Sequence, residues 1–172
     1  MSEGRVFAED IKNILESLSG WTGRVYVYIP PIRSEEDFNS YFLEAETMPD
    51  GKKRLNAWFI NRTRLSPRKF GEAPRGVPLG YRARSHTYSI RGFMSVIKAT
   101  PSGVSSEEEF QDICDNVEAA LSIPVSLGHS DRTVVVGSID LDIAYDNFGV
   151  VLCHVVTGTV TVTEYVITAH TL

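Results

Sequence analysis

The stretch VVLCHVVTGTVTVTEYVIT, residues 150–168, decides the fold of this chain. It is rich in β-branched side chains, and in its middle part threonines alternate with valines. A period of two is the pattern of a β-strand that buries one of its faces. The sequence therefore predicts one long strand here. The alternating residues are Thr159, Val160, Thr161, Val162 and Thr163.

Further strand patterns occupy much of the remaining chain. They combine aromatic and β-branched residues or alternate with a period of two. These segments are residues 24–29, 54–65, 84–97 and 133–145. Gly92, inside the third segment, predicts a β-bulge. Asp146 and Asn147, which follow the fourth segment, predict a turn.

Three segments have the apolar spacing of short amphipathic helices. The first covers residues 7–18 and ends before Gly20. The second begins after Ser34 and the third after Ser105-Ser106, and acidic residues follow these serines, where the helix dipole favours them. The predicted order is α-β-α-β-loop-β-α-β-β. It predicts an α+β fold, with an antiparallel or mixed β-sheet and about three helices packed on one side.

The composition limits the class of protein. A chain of 172 residues is expected to form one domain, residues 1–172. No apolar run approaches the ~20 residues of a membrane-spanning helix, and the N-terminus lacks the apolar segment of a signal peptide. Without an export signal, Cys114 and Cys153 are interpreted as reduced core residues. Two cysteines and four scattered histidines lack the spacing of a zinc site, so we expect no metal, no cofactor and no membrane.

The charges are distributed unevenly along the chain. Residues 52–91 contain 11 of the 17 Lys and Arg residues and one of the 22 acidic residues, Glu72. This stretch therefore has a formal charge of +10, and the rest of the chain has −15. Surfaces of opposite sign suit contact with a second copy or with an acidic partner. The candidate interface residues are Arg62, Arg64, Arg68, Lys69, Arg75, Arg82 and Arg84.

Residues 66–81 lie inside the basic stretch and are rich in residues that interrupt regular structure. This density predicts a long loop, which we call the arm. Long loops in compact domains are usually functional or mobile. We expect the arm to contact the acidic surface of a neighbouring subunit. The interrupting residues are Pro67, Gly71, Pro74, Gly76, Pro78 and Gly80.

Asp140 and Asp142 alternate on one face of the strand predicted at residues 133–145. Two carboxylates on one face can bind a divalent cation or transfer protons. Such residues more often form the solvated face of a half-buried strand. We interpret them as the acidic counter-surface for the basic residues.

Few residues have the arrangement of a catalytic site. Ser85-His86, and Ser126 near His129, are residue types that a hydrolase uses, but no G-x-S-x-G motif surrounds them. The phosphate-binding loop and the dinucleotide-binding fingerprint are also absent. His154, inside an apolar run, is interpreted as a core or interface residue. We do not expect this protein to be an enzyme.

A nucleic-acid-binding module that uses the basic loop is an alternative, because clustered Lys and Arg residues bind phosphates. The isoelectric point near 5.4 argues against it. A dedicated duplex-binding protein is normally basic overall. Contact with an acidic protein surface fits the charge distribution better.

Several segments together resemble the tail-terminator (tail-completion) family of neck and tail proteins from long-tailed bacteriophages. The resemblance rests on the order and spacing of the motifs and covers most of the chain. The motifs are GRVYVY at residues 23–28, RLNAWFINRTR at 54–64, RSHTYSIRGFMSVI at 84–97, EEEFQDICDNVEAAL at 107–121 and DNFGVVLCHVVTGTVTVTE at 146–164.

The resemblance implies an α+β subunit that assembles into a ring, typically a hexamer. The ring would cap the head-proximal end of the tail tube and support head–tail joining. Its partners would be its own copies, the tail tube protein and a head-side neck or connector protein. Genomic DNA would pass through the ring without specific binding, and Asp140 and Asp142 would be the acidic lining of its lumen if they do not form the counter-surface. The protein would be part of the virion, assembled in the host cytoplasm, with no cofactor and no catalytic residues. Another neck ring protein, a stopper or an adaptor, is the alternative within the same resemblance.

Overall fold

A computed structural model describes residues 3–47, 51–67, 69–72, 79–98, 100, 103–122, 133–137 and 139–169. Over these residues the chain has both helices and strands in one connected sheet, so the predicted α+β class is confirmed. In chain order the elements are α1 Glu3–Glu16, β1 Arg24–Tyr26, α2 Glu35–Phe42, β2 Leu43–Thr47, β3 Lys53–Leu65, β4 Lys69–Glu72, β5 Leu79–Ser95, α3 Ser106–Ser122, β6 Thr133–Val136, β7 Asp140–Phe148 and β8 Val151–Ala169.

The two longest strands, β5 and β8, form the centre of the sheet. They are antiparallel and pair without a break from Leu79↔Ala169 to Ser95↔Cys153. The other edge of β5 pairs with β3 and, nearer the start of β5, with β4. The other edge of β8 pairs with β7 and, further along β8, with β6. The short strand β1 pairs with β3 in parallel, which makes the sheet mixed, and β2 pairs with β3 antiparallel.

The sheet is covered by helices on both faces, so the prediction that they pack on one side is wrong. Trp58 and Ile60 of β3 pack with α1 and α3, on what we call the two-helix face. Ala57 and Phe59 point the other way and pack with α2, on the one-helix face. Because β3 is apolar on both faces, it needs cover on both sides. A one-sided arrangement would leave Phe59 and its aromatic neighbours in water.

The two predicted helix N-caps are confirmed. The Ser34 hydroxyl accepts a hydrogen bond from the Asp37 backbone N–H at 3.1 Å, and that of Ser105 accepts one from the Glu108 N–H at 3.1 Å. Each bond satisfies a backbone donor that has no partner inside its helix. The local sequence therefore fixes where α2 and α3 begin.

The cysteines are free and buried, as predicted. Cys114 packs in the core of the two-helix face and Cys153 in the core of the one-helix face, so the sheet separates them. Burial raises the pKa of Cys114 to about 12 and that of Cys153 to about 11. Among the helices described, none is long and apolar enough to cross a membrane.

Gly92 does not form the predicted bulge. The pairing of β5 continues through it, opposite Trp58 on one side and Val156 on the other. The glycine is required because the Trp58 indole lies over it, where a Cβ atom would come within 2.6 Å of the ring. The register shift between β3 and β5 lies instead between Arg62 and Arg64.

Much of the predicted arm is a β-hairpin rather than a loop. Within residues 66–81, β4 and the first residues of β5 pair from Lys69↔Ala83 to Glu72↔Gly80. Gly71 and Gly80 are accommodated inside the paired strands, so neither interrupts the hairpin. Pro67 lies between β3 and β4. The other two prolines, Pro74 and Pro78, lie outside the described residues. A proline next to a strand does not disturb the ladder of hydrogen bonds.

Two other local predictions are also wrong. Asp146 and Asn147 continue β7 instead of forming a turn, which lies at Gly149 and Val150. Gly149 has a φ of 65°, which glycine adopts without strain, so it is the better turn residue. The segment predicted as one strand at residues 133–145 is two strands, β6 and β7. The strand β2, directly after α2, was not predicted.

Candidate subunit interface

The outer edge of β3 beyond Phe59 carries no partner strand in the described part of the chain. β1 pairs at positions 57–59 and β2 near the start of β3, which leaves the edge open from Ile60 onward. We call residues 60–65 together with β4 the basic edge. Arg62 and Arg64 are exposed, and neither forms an ion pair with another described residue. An open strand edge can pair with a strand of another chain.

Arg62 and Arg64 lie on opposite faces of the sheet although they are two positions apart. Arg62 pairs with Tyr88, whose ring is buried in the core of the two-helix face, whereas Arg64 pairs with Thr87 on the one-helix face. The register shift between the arginines causes this, since an unbroken strand would put both on one face. Thr63 in the shift donates a hydrogen bond to the Thr87 carbonyl at 3.3 Å.

The other predicted interface residues are only partly described. Arg84 is half-buried in β5 and pairs with Glu164 of β8 on the two-helix face. Lys69 and Arg82 belong to the hairpin, opposite Ala83 and Phe70 respectively. Two further residues of the set, Arg68 and Arg75, lie outside the described residues. The charge distribution predicted that the interface residues share one surface. The register of the strands instead divides the described ones between the two faces of the sheet.

The opposite edge of the sheet is acidic. β7 pairs with β8, and its other side carries no strand among the residues described. Asp140 and Asp142 are exposed there, opposite Thr159 and Thr157, and lie on the one-helix face. Asp146, further along β7, forms a half-exposed ion pair with Arg91 at 3.2 Å. We call β7 with these three aspartates the acidic edge.

The two edges cannot neutralise each other within one molecule. The strand order from the basic edge to the acidic edge is β3-β5-β8-β7. Three strand spacings separate them, which is about 14 Å. The charges of Arg62, Arg64, Asp140 and Asp142 are therefore available to another molecule, whereas Asp146 is already paired with Arg91.

A cleft of about 300 Å³ lies beside the acidic edge on the two-helix face, between α3 and β7. Ile143 and Tyr145 of β7 form its outer wall and are about half-exposed. Among the described residues that line it, Glu107 contributes the one carboxylate, and none is Lys or Arg. The lining residues are Glu107, Phe110, Gln111, Ile143, Ala144, Tyr145 and His154.

The floor of the cleft is fixed by a buried hydrogen-bond chain. His154 Nε2 lies 2.9 Å from the Ser106 hydroxyl oxygen, which also accepts a hydrogen bond from the Ile97 backbone N–H at 3.2 Å. Phe110 stacks on the His154 ring. Burial lowers the pKa of His154, and the nearby Glu107 carboxylate opposes this. The histidine is therefore neutral at neutral pH.

The Ser106–His154 pair was not predicted, because its members are far apart in the sequence. Ser106 is 3% exposed and its oxygen already accepts the Ile97 N–H, so the pair attaches the start of α3 to β8. The predicted neighbours Ser85 and His86 point to opposite faces of β5. Ser85 contacts Thr163 and His86 contacts Glu164.

The other suggested catalytic pair, Ser126 and His129, lies outside the described residues. Within the described ranges no group of three His, Cys, Asp or Glu side chains could hold a metal ion.

A second cavity, of about 330 Å³, opens on the one-helix face. Its walls are mainly apolar, and Ile29 and Ile32 at its rim are largely exposed. Arg91 lies at its edge, over the ring of Phe93 at 4.8 Å. The lining residues are Ile29, Ile32, Phe42, Phe59, Asn61, Arg91, Phe93 and Phe148.

Neither a protein-family model nor a curated protein sequence matches this chain. The geometry of the edges and the cleft is therefore the basis for the function proposed below.

Proposed function

We propose that this protein is a structural virion subunit, a phage tail terminator, that assembles into a homo-oligomeric ring through its two charged sheet edges. The observation that carries the proposal is the pair of open edges of opposite charge on one sheet. Contact between two different surfaces of one subunit generates a closed ring when the rotation closes. The resemblance to tail terminators implies a hexamer. The order of the sequence motifs supports the same assignment.

In this proposal the basic edge of one subunit faces the acidic edge of the next. Arg64 lies on the same face as Asp140 and Asp142. A sheet continued from one subunit to the next would bring these charges together and satisfy the open backbone groups of both strands. The charges also determine which edges bind each other, because two basic edges or two acidic edges repel.

The ring would cap the head-proximal end of the tail tube and offer its other surface to a head-side connector protein. DNA would pass through the lumen without specific binding. A stopper or adaptor ring would use the same edges, and co-assembly with purified tail tubes separates these functions. A terminator stops tube elongation, whereas a stopper or adaptor leaves the length of the tube unchanged.

Analytical ultracentrifugation at low salt tests the ring. We expect one large species of defined mass that dissociates as salt is raised, because exposed charges are screened within about 10 Å at 0.1 M salt. Negative-stain microscopy should show rings. A monomer at high protein concentration and low salt would contradict the proposal.

Nucleic-acid binding is the second candidate function, favoured by the exposed Arg62 and Arg64. A fluorescence titration of labelled duplex DNA at increasing salt tests it. Binding that weakens steeply with salt would indicate phosphate contacts. If no binding is observed at low salt, this candidate is excluded.

A further inference from the structure

We propose that the cleft between α3 and β7 is the receptor for the Arg62 guanidinium of a second copy of this chain. The inference deepens the proposed ring by naming a specific contact on the two-helix face. The contact is separate from the one between Arg64 and the aspartates of the acidic edge.

The chemistry of the cleft fits a guanidinium. Glu107 supplies one exposed carboxylate, and the half-exposed ring of Tyr145 supplies aromatic surface. A guanidinium forms charge-assisted hydrogen bonds with a carboxylate and stacks on aromatic faces. The neutral His154 adds no positive charge, and its Nε2 is already paired with Ser106. The described lining of the cleft therefore contains no cation.

The arginine must come from another molecule. Arg62 of the same chain lies on the far edge of the sheet, about 14 Å away by strand spacing, which exceeds the reach of its side chain. It is exposed and forms no ion pair with a described residue. Charge complementarity thus favours a second copy as the occupant, with Arg62 opposite Glu107.

The face of the sheet on which each arginine lies determines which arginine can enter the cleft. In a ring every subunit presents the same face outward, so a sheet continued across the contact keeps the two-helix faces aligned. Arg62 and the cleft both lie on that face. Arg64 and the aspartates lie on the other, so one arrangement satisfies both arginines.

A double-mutant cycle tests the contact. We expect Arg62→Gln and Glu107→Gln each to weaken association roughly tenfold, and the double variant to be no weaker than either single variant. Arg64→Gln is the matched control, and its effect should add to that of Glu107→Gln. The exchange Arg62→Glu with Glu107→Arg should restore association. Equilibrium sedimentation gives the constants, and circular dichroism checks that each variant is folded.

The outcomes separate this inference from the ring itself. If the wild type assembles and Glu107→Gln associates equally well, the cleft is not the receptor although the ring stands. If the wild type stays monomeric, the ring proposal fails.

A binding test that does not depend on assembly uses a capped peptide of residues 60–65, INRTRL, titrated into ¹⁵N-labelled protein. We expect chemical-shift changes at Glu107 and Tyr145 that Glu107→Gln abolishes. No change at millimolar peptide would overturn the inference.

Discussion

Gly92 lies directly beneath the indole ring of Trp58, so close that a Cβ atom would come within 2.6 Å of Cδ2. Trp58 is fully buried between α1, α3 and the sheet and cannot move aside without disturbing that core. We predict that Gly92→Ala lowers the free energy of unfolding by about 2 kcal/mol, the usual cost of overpacking a core. Urea denaturation measures it.

The control for this prediction is the same substitution in a Trp58→Leu background. The smaller side chain leaves room for the new methyl group, so Gly92→Ala should cost less there. An equal loss in both backgrounds would show that the indole is not the reason for the glycine.

Arg54 joins three elements through a buried ion-pair network. It is 2% exposed, and its Nε and Nη2 atoms donate to Glu44 at 3.0 and 2.8 Å, while Nη1 donates to Glu109 at 2.6 Å. Removing one partner leaves an uncompensated buried charge. We predict that Arg54→Ala lowers the free energy of unfolding by about 3–5 kcal/mol. Glu109→Gln should cost less, because Glu109 is 25% exposed. Equal losses in thermal or urea denaturation would contradict this.

The acidic edge provides a test of assembly. We predict that Asp140→Asn together with Asp142→Asn weakens ring association roughly tenfold, because the opposing Arg64 of the next subunit loses its partners. Asp112→Asn, an exposed charge on α3, is the control and should have no effect. If the double variant assembles like the wild type, these aspartates are not the counter-surface, and the lumen interpretation is favoured instead.

We predict that the free energy of unfolding falls in mild acid because of the buried His86. Burial lowers its pKa, and the hydrogen bond to Glu164 opposes this. The positive charges of Arg84 and Arg62 lower the pKa further. The unfolded chain, with an ordinary histidine pKa of about 6.5, then binds more protons than the folded protein. Stability should therefore be complete above about pH 6.5 and fall as the pH drops below it.

His86→Gln tests that prediction, since glutamine cannot take up a proton. Urea midpoints between pH 7.5 and 5.5 should decline for the wild type and decline less steeply for the variant. Parallel pH profiles for the two proteins would rule out His86 as the cause. His154, whose pKa burial also lowers, remains in both proteins and accounts for the residual slope.

Local signals in the sequence predicted the parts of this fold that local interactions fix. The serines that begin α2 and α3 and the alternation in β5 and β8 act within a few residues, and these elements are where the sequence puts them. The side on which a helix packs depends on distant partners. The apolar residues around Phe59 predict a strand. They do not predict that α2 covers this strand, because α2 is distant in the sequence.

The candidate site was predictable in charge but not in geometry. The concentration of Lys and Arg pointed to Arg62 and Arg64, and the alternation pointed to Asp140 and Asp142. Nothing in the residue types around Thr63 marks the register shift that sends the two arginines to opposite faces. The cleft depends on Glu107 and His154, which meet only because α3 crosses the end of β7 and β8.

The unbroken pairing of β5 with β8 has a consequence for how the chain folds. β8 is the last strand described, and its partner β5 is made well before it, with α3, β6 and β7 between them. During synthesis β3 and β4 can pair with β5 as soon as all three have been made. The other edge of β5 has no partner until β8 leaves the ribosome. Contacts so distant in sequence slow folding, and an exposed central strand invites aggregation. Chains interrupted before β8 should therefore be insoluble, and new subunits should become competent for assembly only after β8 has paired with β5.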